Sequence, residues 1–128
     1  MTGLLSELIV SRKAVVGVVG LGYVGLPLIR AFVESGFSAI GYDVDETKIN
    51  VLSAGHSYIG HIDAGWVAES VNSARFRPTT DISQLAVADA ILICVPTPLN
   101  ESRDPDLQFV ESTARRVSEH LRPGQLVV

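Results

Sequence analysis

The sequence predicts an α/β fold in three layers, α/β/α, around a doubly wound parallel sheet, and three observations carry that prediction. Short apolar runs alternate with segments of helical periodicity through all 128 residues. The runs have few polar interruptions, as parallel strands covered on both faces do, and 47% of residues are hydrophobic against 19% charged. The first run, Val15-Val16-Gly17-Val18-Val19, breaks into Gly20-Leu21-Gly22-Tyr23-Val24-Gly25 and continues as an apolar helical segment. Strand, glycine turn and helix, in that order, form the context in which G-x-G-x-x-G signifies a Rossmann-type dinucleotide site.

Taken in order, Thr2 to Lys13 reads as a short amphipathic helix, with Leu4, Leu5, Leu8 and Ile9 on one side. It covers a sheet edge or a neighbouring subunit and carries no evident chemistry. Ala14 to Val19 is the first strand. In the turn that follows, Gly20 permits the sharp exit from the strand, Gly22 leaves room for a pyrophosphate against the main chain, and Gly25 lets the helix pack closely. Tyr23 to Ser35 is the first helix; Pro27 falls in its first turn, where a missing N–H costs little, and Gly36 stops it. The unpaired N–H groups and positive dipole end of that helix favour phosphate.

The second strand, Ser38 to Asp43, ends in an acid 18 residues after Gly25. A carboxylate there accepts hydrogen bonds from the adenosine ribose and repels a 2′-phosphate, so it selects NAD over NADP. The competing reading of Asp43, as a helix cap, suits Asp45 better. Asp45 opens a helix that Gly55 ends, and Lys48 on its first turn either reaches the adenosine end of the cofactor or is a solvated surface lysine. His56 to Asn72 is punctuated by Gly60 and Gly65, with a helix over Asp63 to Asn72. His56, His61 and Asp63 match no standard ligand spacing, so no metal site is expected; this stretch packs on the sheet or walls a substrate cleft.

Phe76 to Thr80 is a short third strand, and Asp81-Ile82-Ser83-Gln84 forms a capping box for a helix reaching about Ala88. Ala90 to Val95 is a buried fourth strand. Pro96-Thr97-Pro98 forbids its continuation and leaves the sheet at its carboxyl edge, where open α/β sheets bind ligands. Pro96 and Thr97 are therefore candidate cofactor contacts, although a structural turn would use the same residues. Asp104-Pro105-Asp106 starts the last helix, whose buried stripe is Leu107, Val110, Ala114, Val117 and Leu121, with Arg115, Arg116 and Glu119 on its solvated face. Gln125 to Val128 begins a fifth strand. A full dinucleotide fold has six, so the sequence reads as a C-terminally truncated domain, 14–128, behind an extension, 1–13.

A formal charge of −4 and a pI near 5.2, with scattered basic residues, argue against a nucleic-acid partner. No apolar run reaches membrane-spanning length and no signal sequence opens the chain, so no membrane partner is expected. The one cysteine, Cys94, rules out an internal disulfide and fits a reducing cytoplasm.

Four segments together resemble the N-terminal domain of the UDP-glucose/GDP-mannose dehydrogenase family: Gly20 to Leu28, Gly41 to Asp45, Cys94 to Leu99, and Pro105 to Leu107. They lie in the family's order and cover nearly the whole chain. Ser57 to Ile62 and Pro98 to Asp106 resemble the UDP-N-acetylglucosamine 6-dehydrogenase branch. The resemblance implies two successive NAD-dependent oxidations at C6 of a nucleotide sugar, through a thiohemiacetal and a thioester on a catalytic cysteine. That cysteine follows residue 128 in the family, and Cys94 matches a strand-end position instead. Here the resemblance implies NAD binding alone, by the glycine loop (Gly20, Leu21, Gly22, Tyr23, Val24, Gly25), Asp43, Lys48, Pro96 and Thr97, within a homo-oligomeric full-length enzyme. Two other readings stand beside it: a stand-alone nucleotide sensor, and a β-hydroxyacid-type dehydrogenase, against which the Pro96-Thr97-Pro98 loop argues.

Overall fold

Val15–Val19 (β1) lies at the centre of a five-stranded parallel sheet. A computed structural model of the chain describes residues 2–96, 99, 101–104 and 106–128. The other strands are Ser38–Tyr42 (β2), Phe76–Thr79 (β3), Ala90–Ile93 (β4) and Leu126–Val127 (β5), in the order β3-β2-β1-β4-β5. The strand order reverses beside β1, so the carboxyl ends of β1, β2 and β4 open onto one crevice. Pro78 is tolerated in β3 because β3 is an edge strand.

The helices are Thr2–Val10 (α1), Gly25–Glu34 (α2), Glu46–Ser53 (α3), Ala64–Asn72 (α4) and Gln108–Ser118 (α5). Alternation along the strands divides the core into two layers. Val16, Val18, Ala39 and Phe76 face one side and pack with Leu26, Ile29, Leu52 and Val67 of α2 to α4. Val19, Ile40, Tyr42 and Ile91 face the other side and pack with Leu85, Ala88 and Val117. Burying each such aliphatic side chain stabilises the fold by roughly 1.5–3 kcal/mol. Leu8 of α1 joins the first layer, which anchors the extension.

Several boundaries depart from expectation. Helix α1 ends at Val10, not Lys13, because the chain turns through Arg12 with φ 64° to enter β1. Asp81 caps the next turn through Ser83, but Gln84 does not close a capping box. The Asp81 amide donates instead to Thr79 Oγ1 at 2.9 Å, and Ile82–Val87 is a 3₁₀ helix. Helix α5 starts at Gln108, its first amide held by Asp106 Oδ1 at 3.0 Å; Pro105, expected at its first position, lies outside the described residues. Of the stripe expected on α5, Val117 is buried, whereas Leu107 and Leu121 are 53% and 45% exposed. The layer beneath α5 is narrow, since β5 has two residues.

Candidate functional site

The crevice at the carboxyl end of the sheet is a cleft of about 720 Å³. The glycine turn and the end of β2 form one wall, Cys94, Val95 and Pro96 lie at the end of β4, and Phe109, Ser112, Thr113 and Arg116 of α5 form the opposite wall.

The turn leaves β1 at Gly20, whose φ of +98° suits glycine and whose amide donates to the Tyr42 carbonyl at 2.8 Å. A Cβ there would also stand 2.6 Å from the Cys94 carbonyl oxygen. At Gly25 a Cβ would run into the Gly20 carbonyl oxygen, so α2 can approach β1 this closely only without a side chain. Gly22 differs from both, for a Cβ built on it meets nothing within 4 Å. The space above its backbone opens to the cleft, where a pyrophosphate would need to approach. Val24 precedes α2 without a side-chain cap; in the first turn the Leu26 amide donates to the Gly22 carbonyl at 3.2 Å and Pro27 carries no N–H. Tyr23 and Val24 line the cleft at 84% and 63% exposure, while Leu21, which also borders it, is fully buried.

Asp43 follows β2 directly and lines the same cleft. Its Oδ2 accepts from the Leu21 amide at 2.9 Å and its Oδ1 from the Asp45 amide at 2.9 Å. Each oxygen keeps further acceptor capacity for ribose hydroxyls. The carboxylate is thus both a candidate ribose acceptor and a strut of the glycine turn; the sequence suggested only the first role. Lys48 lies on the first turn of α3, borders the cleft, and holds its Nζ 5.8 Å from the ring centroid of Tyr58. The Tyr58 hydroxyl donates to the Leu21 carbonyl. Burial, with the Asp43 and Asp45 carboxylates nearby, pushes that hydroxyl far above the usual tyrosine value.

Pro96 is exposed at the cleft, and Thr97 lies outside the described residues. Burial raises the Cys94 thiol, which fits a strand-end side chain better than a nucleophile. No metal cluster occurs among the described residues, and Asp63 caps α4 through the Trp66 amide at 3.3 Å. The α5 wall escaped the sequence reading, which put Arg116 on a solvated face. Arg116 stands 5.9 Å from the ring centroid of Tyr42 and borders the cleft. The signal was present, since Phe109, Ser112, Thr113 and Arg116 recur at intervals of three and four and share one helix face.

A parallel sheet with its glycine turn, an acid after β2 and a cleft at the strand-order reversal define a dinucleotide-binding domain. Residues 14–128 match the NAD binding domain of the UDP-glucose/GDP-mannose dehydrogenase family, and the chain belongs to that family. It is 36% identical over 116 residues to UDP-N-acetyl-D-mannosamine dehydrogenase of Escherichia coli (strain K12), covering 90% of this chain and 27% of the relative. It is 35% identical over 114 residues to NDP-N-acetyl-D-galactosaminuronic acid dehydrogenase of Ralstonia nicotianae, covering 88% and 26%. The solved UDP-D-ManNAc dehydrogenase of Pyrococcus horikoshii superposes with a TM-score of 0.80 at 33% identity, over 88% of this chain and 27% of that one. The chain therefore spans about a quarter of the length of these relatives.

Proposed function

We propose that this chain is the NAD-holding portion of a nucleotide-sugar 6-dehydrogenase that oxidises C6 of a UDP-sugar, a UDP-N-acetylhexosamine, to the uronic acid with two NAD. One observation carries the cofactor half of the reading. The open space above Gly22 and the Asp43 carboxylate border the same cleft, and the Leu21 amide ties them together at 2.9 Å. When bound, NAD accepts hydride from the sugar alcohol. The residues here hold and orient it. The backbone from Gly20 to Gly25 cradles the pyrophosphate, Asp43 takes the adenosine ribose, and Lys48 offers positive charge beside it. Pro96 borders the cofactor after β4 ends, and the family resemblance adds Thr97 as a contact.

The names of the relatives support an N-acetylhexosamine substrate. The family resemblance supports the rest of the proposal: an extension at 1–13, a domain at 14–128, and a homo-oligomeric, cytoplasmic full-length enzyme. On this reading the 128-residue chain binds NAD without turnover.

Calorimetric titration with NAD⁺ and NADP⁺, on wild type and Asp43→Asn, tests the cofactor half. Wild type should prefer NAD⁺. The substitution should cost about tenfold or more in NAD⁺ affinity, as expected for a hydrogen bond to a charged acceptor, and should narrow the preference. Equal affinity for the two cofactors in wild type would defeat the assignment of Asp43. Formation of NADH by the full-length protein with UDP-N-acetylhexosamines, against UDP-glucose and GDP-mannose, tests the substrate half.

A further inference from the structure

The loop before α4 reaches back to the glycine turn through one side chain. We propose that Tyr58 is a positioning residue of the dinucleotide site: its hydroxyl pins the Leu21 carbonyl and its ring seats Lys48, so the turn is already in its binding shape before cofactor arrives. The inference rests on the cofactor reading above and deepens it.

Leu21 is the residue between the first two glycines of the motif, and both of its backbone polar groups are held. Its amide donates to Asp43 Oδ2 at 2.9 Å and its carbonyl accepts from Tyr58 Oη. With the leucine side chain fully buried, the peptide between β1 and α2 has little freedom left. Tyr58 does not border the cleft, so it acts on the cofactor only through these neighbours.

The loop that carries Tyr58 is itself fixed. Ile59 and Ile62 are 5% and 3% exposed in the core layer under α2 to α4. Ser57 Oγ donates to the Ile59 carbonyl at 3.0 Å, and Arg30 of α2 donates to the His61 carbonyl at 3.1 Å. A tyrosine on so firm a base can impose a position rather than follow one. The Lys48 ammonium over its ring adds a cation–π contact that holds this charge beside Tyr58, at the border of the cleft.

Tyr58→Phe keeps the ring, and with it the Lys48 contact, and removes only the hydroxyl. Two readouts on the 128-residue chain decide the matter. NAD⁺ affinity by calorimetry should fall about three- to tenfold, the worth of one partly buried neutral hydrogen bond. Amide hydrogen exchange, followed in the protein without cofactor, should quicken from Gly20 to Val24 and stay unchanged in β3 and α4. NAD⁺ affinity within twofold of wild type overturns the proposal, as does faster exchange spread evenly over the sheet, which marks Tyr58 as general core. If wild type itself binds no NAD⁺, the cofactor reading fails, which is a different result from a variant that matches a binding wild type.

Discussion

Gly22→Ala separates folding from function more sharply than alanine at Gly20 or Gly25. The motif gives the three glycines of the turn different roles, and a methyl group meets something different at each. On Gly20 it would lie 2.6 Å from the Cys94 carbonyl oxygen at a φ of +98°, and on Gly25 it would collide with the Gly20 carbonyl. Overpacking of this kind costs about 1–3 kcal/mol or more, so those alanines should destabilise the fold. On Gly22 the methyl meets nothing within 4 Å, and Gly22 is not among the glycines with positive φ. Alanine there restricts the unfolded chain more than glycine does, which stabilises by up to about 1 kcal/mol. The melting temperature should therefore hold or rise by a few degrees, about 3–5 °C at most for a domain of this size. Binding should respond in the opposite sense. The methyl occupies the space through which a pyrophosphate reaches the backbone amides, and one charge-assisted hydrogen bond lost is worth about 1.5–3 kcal/mol. NAD⁺ affinity should then fall about 10- to 150-fold. Thermal melts and calorimetric titrations of the three alanine variants beside wild type provide the test. If Gly22→Ala binds NAD⁺ as tightly as wild type, the pyrophosphate does not lie over Gly22 and the cleft is used in some other way.

Two further predictions follow from the titrating groups. The folded state raises the Tyr58 hydroxyl above its unfolded value, so it favours the neutral phenol. The resulting stabilisation is fully present below the unfolded value of about 10 and is lost as pH rises through the higher folded value. A difference absorbance titration of wild type against Tyr58→Phe should show no phenolate from Tyr58 at pH about 10; half-ionisation there would contradict the bond to Leu21. Burial likewise raises the Cys94 thiol, whose contribution to stability is present below the unfolded thiol value and lost as pH rises through the folded one. Because Cys94 is the one cysteine, a single mass adduct reports its reaction with iodoacetamide. At pH about 8 the folded protein should react more slowly than the urea-unfolded chain, and more slowly still with NAD⁺ in the cleft. Equal rates folded and unfolded would contradict the shielding of the thiol.

The order of strands and helices was legible because each apolar run is bounded by a residue with a local reason to stop, such as Gly20, Gly36, Gly55 or Pro96. Asp45 was legible as a cap for the same reason, since a carboxylate three residues before a helical amide acts locally. What escaped depends on how much cover a distant element provides. Periodicity correctly gave α5 as a helix, but its apolar stripe overhangs the two-residue β5, and Val117 alone of the five stripe residues is fully buried. Polar clips make up part of the difference. Gln125 Nε2 donates to the Ala88 carbonyl at 2.6 Å, and Arg122 to Asp89 Oδ1 at 3.1 Å, fastening the approach to β5 onto the segment before β4. Contacts that span more than 30 residues, as these do, leave no trace in local pattern. The link from Tyr58 to Leu21, 37 residues apart, was hidden in the same way.

At the glycine turn the long-range bonds matter to binding as well as to folding. Gly20 is held by the Tyr42 carbonyl, and Leu21 by Asp43 on one side and Tyr58 on the other. Ordering a flexible residue costs roughly 1–2 kcal/mol of backbone entropy. In a floppy turn that cost would be subtracted from cofactor affinity; here it is met when the domain folds. On the proposed reading, the bond from Leu21 to Asp43 also fixes the distance between the amides that face phosphate and the carboxylate that takes the ribose. A ligand carrying both groups at that separation gains from both contacts without rearranging the site, whereas a free phosphate or a free nucleoside gains from one. On the proposed reading the turn and the acid act as a single recognition unit, and substitutions at Asp43 and Tyr58 should combine non-additively in NAD⁺ affinity, because both hold the backbone of one residue, Leu21.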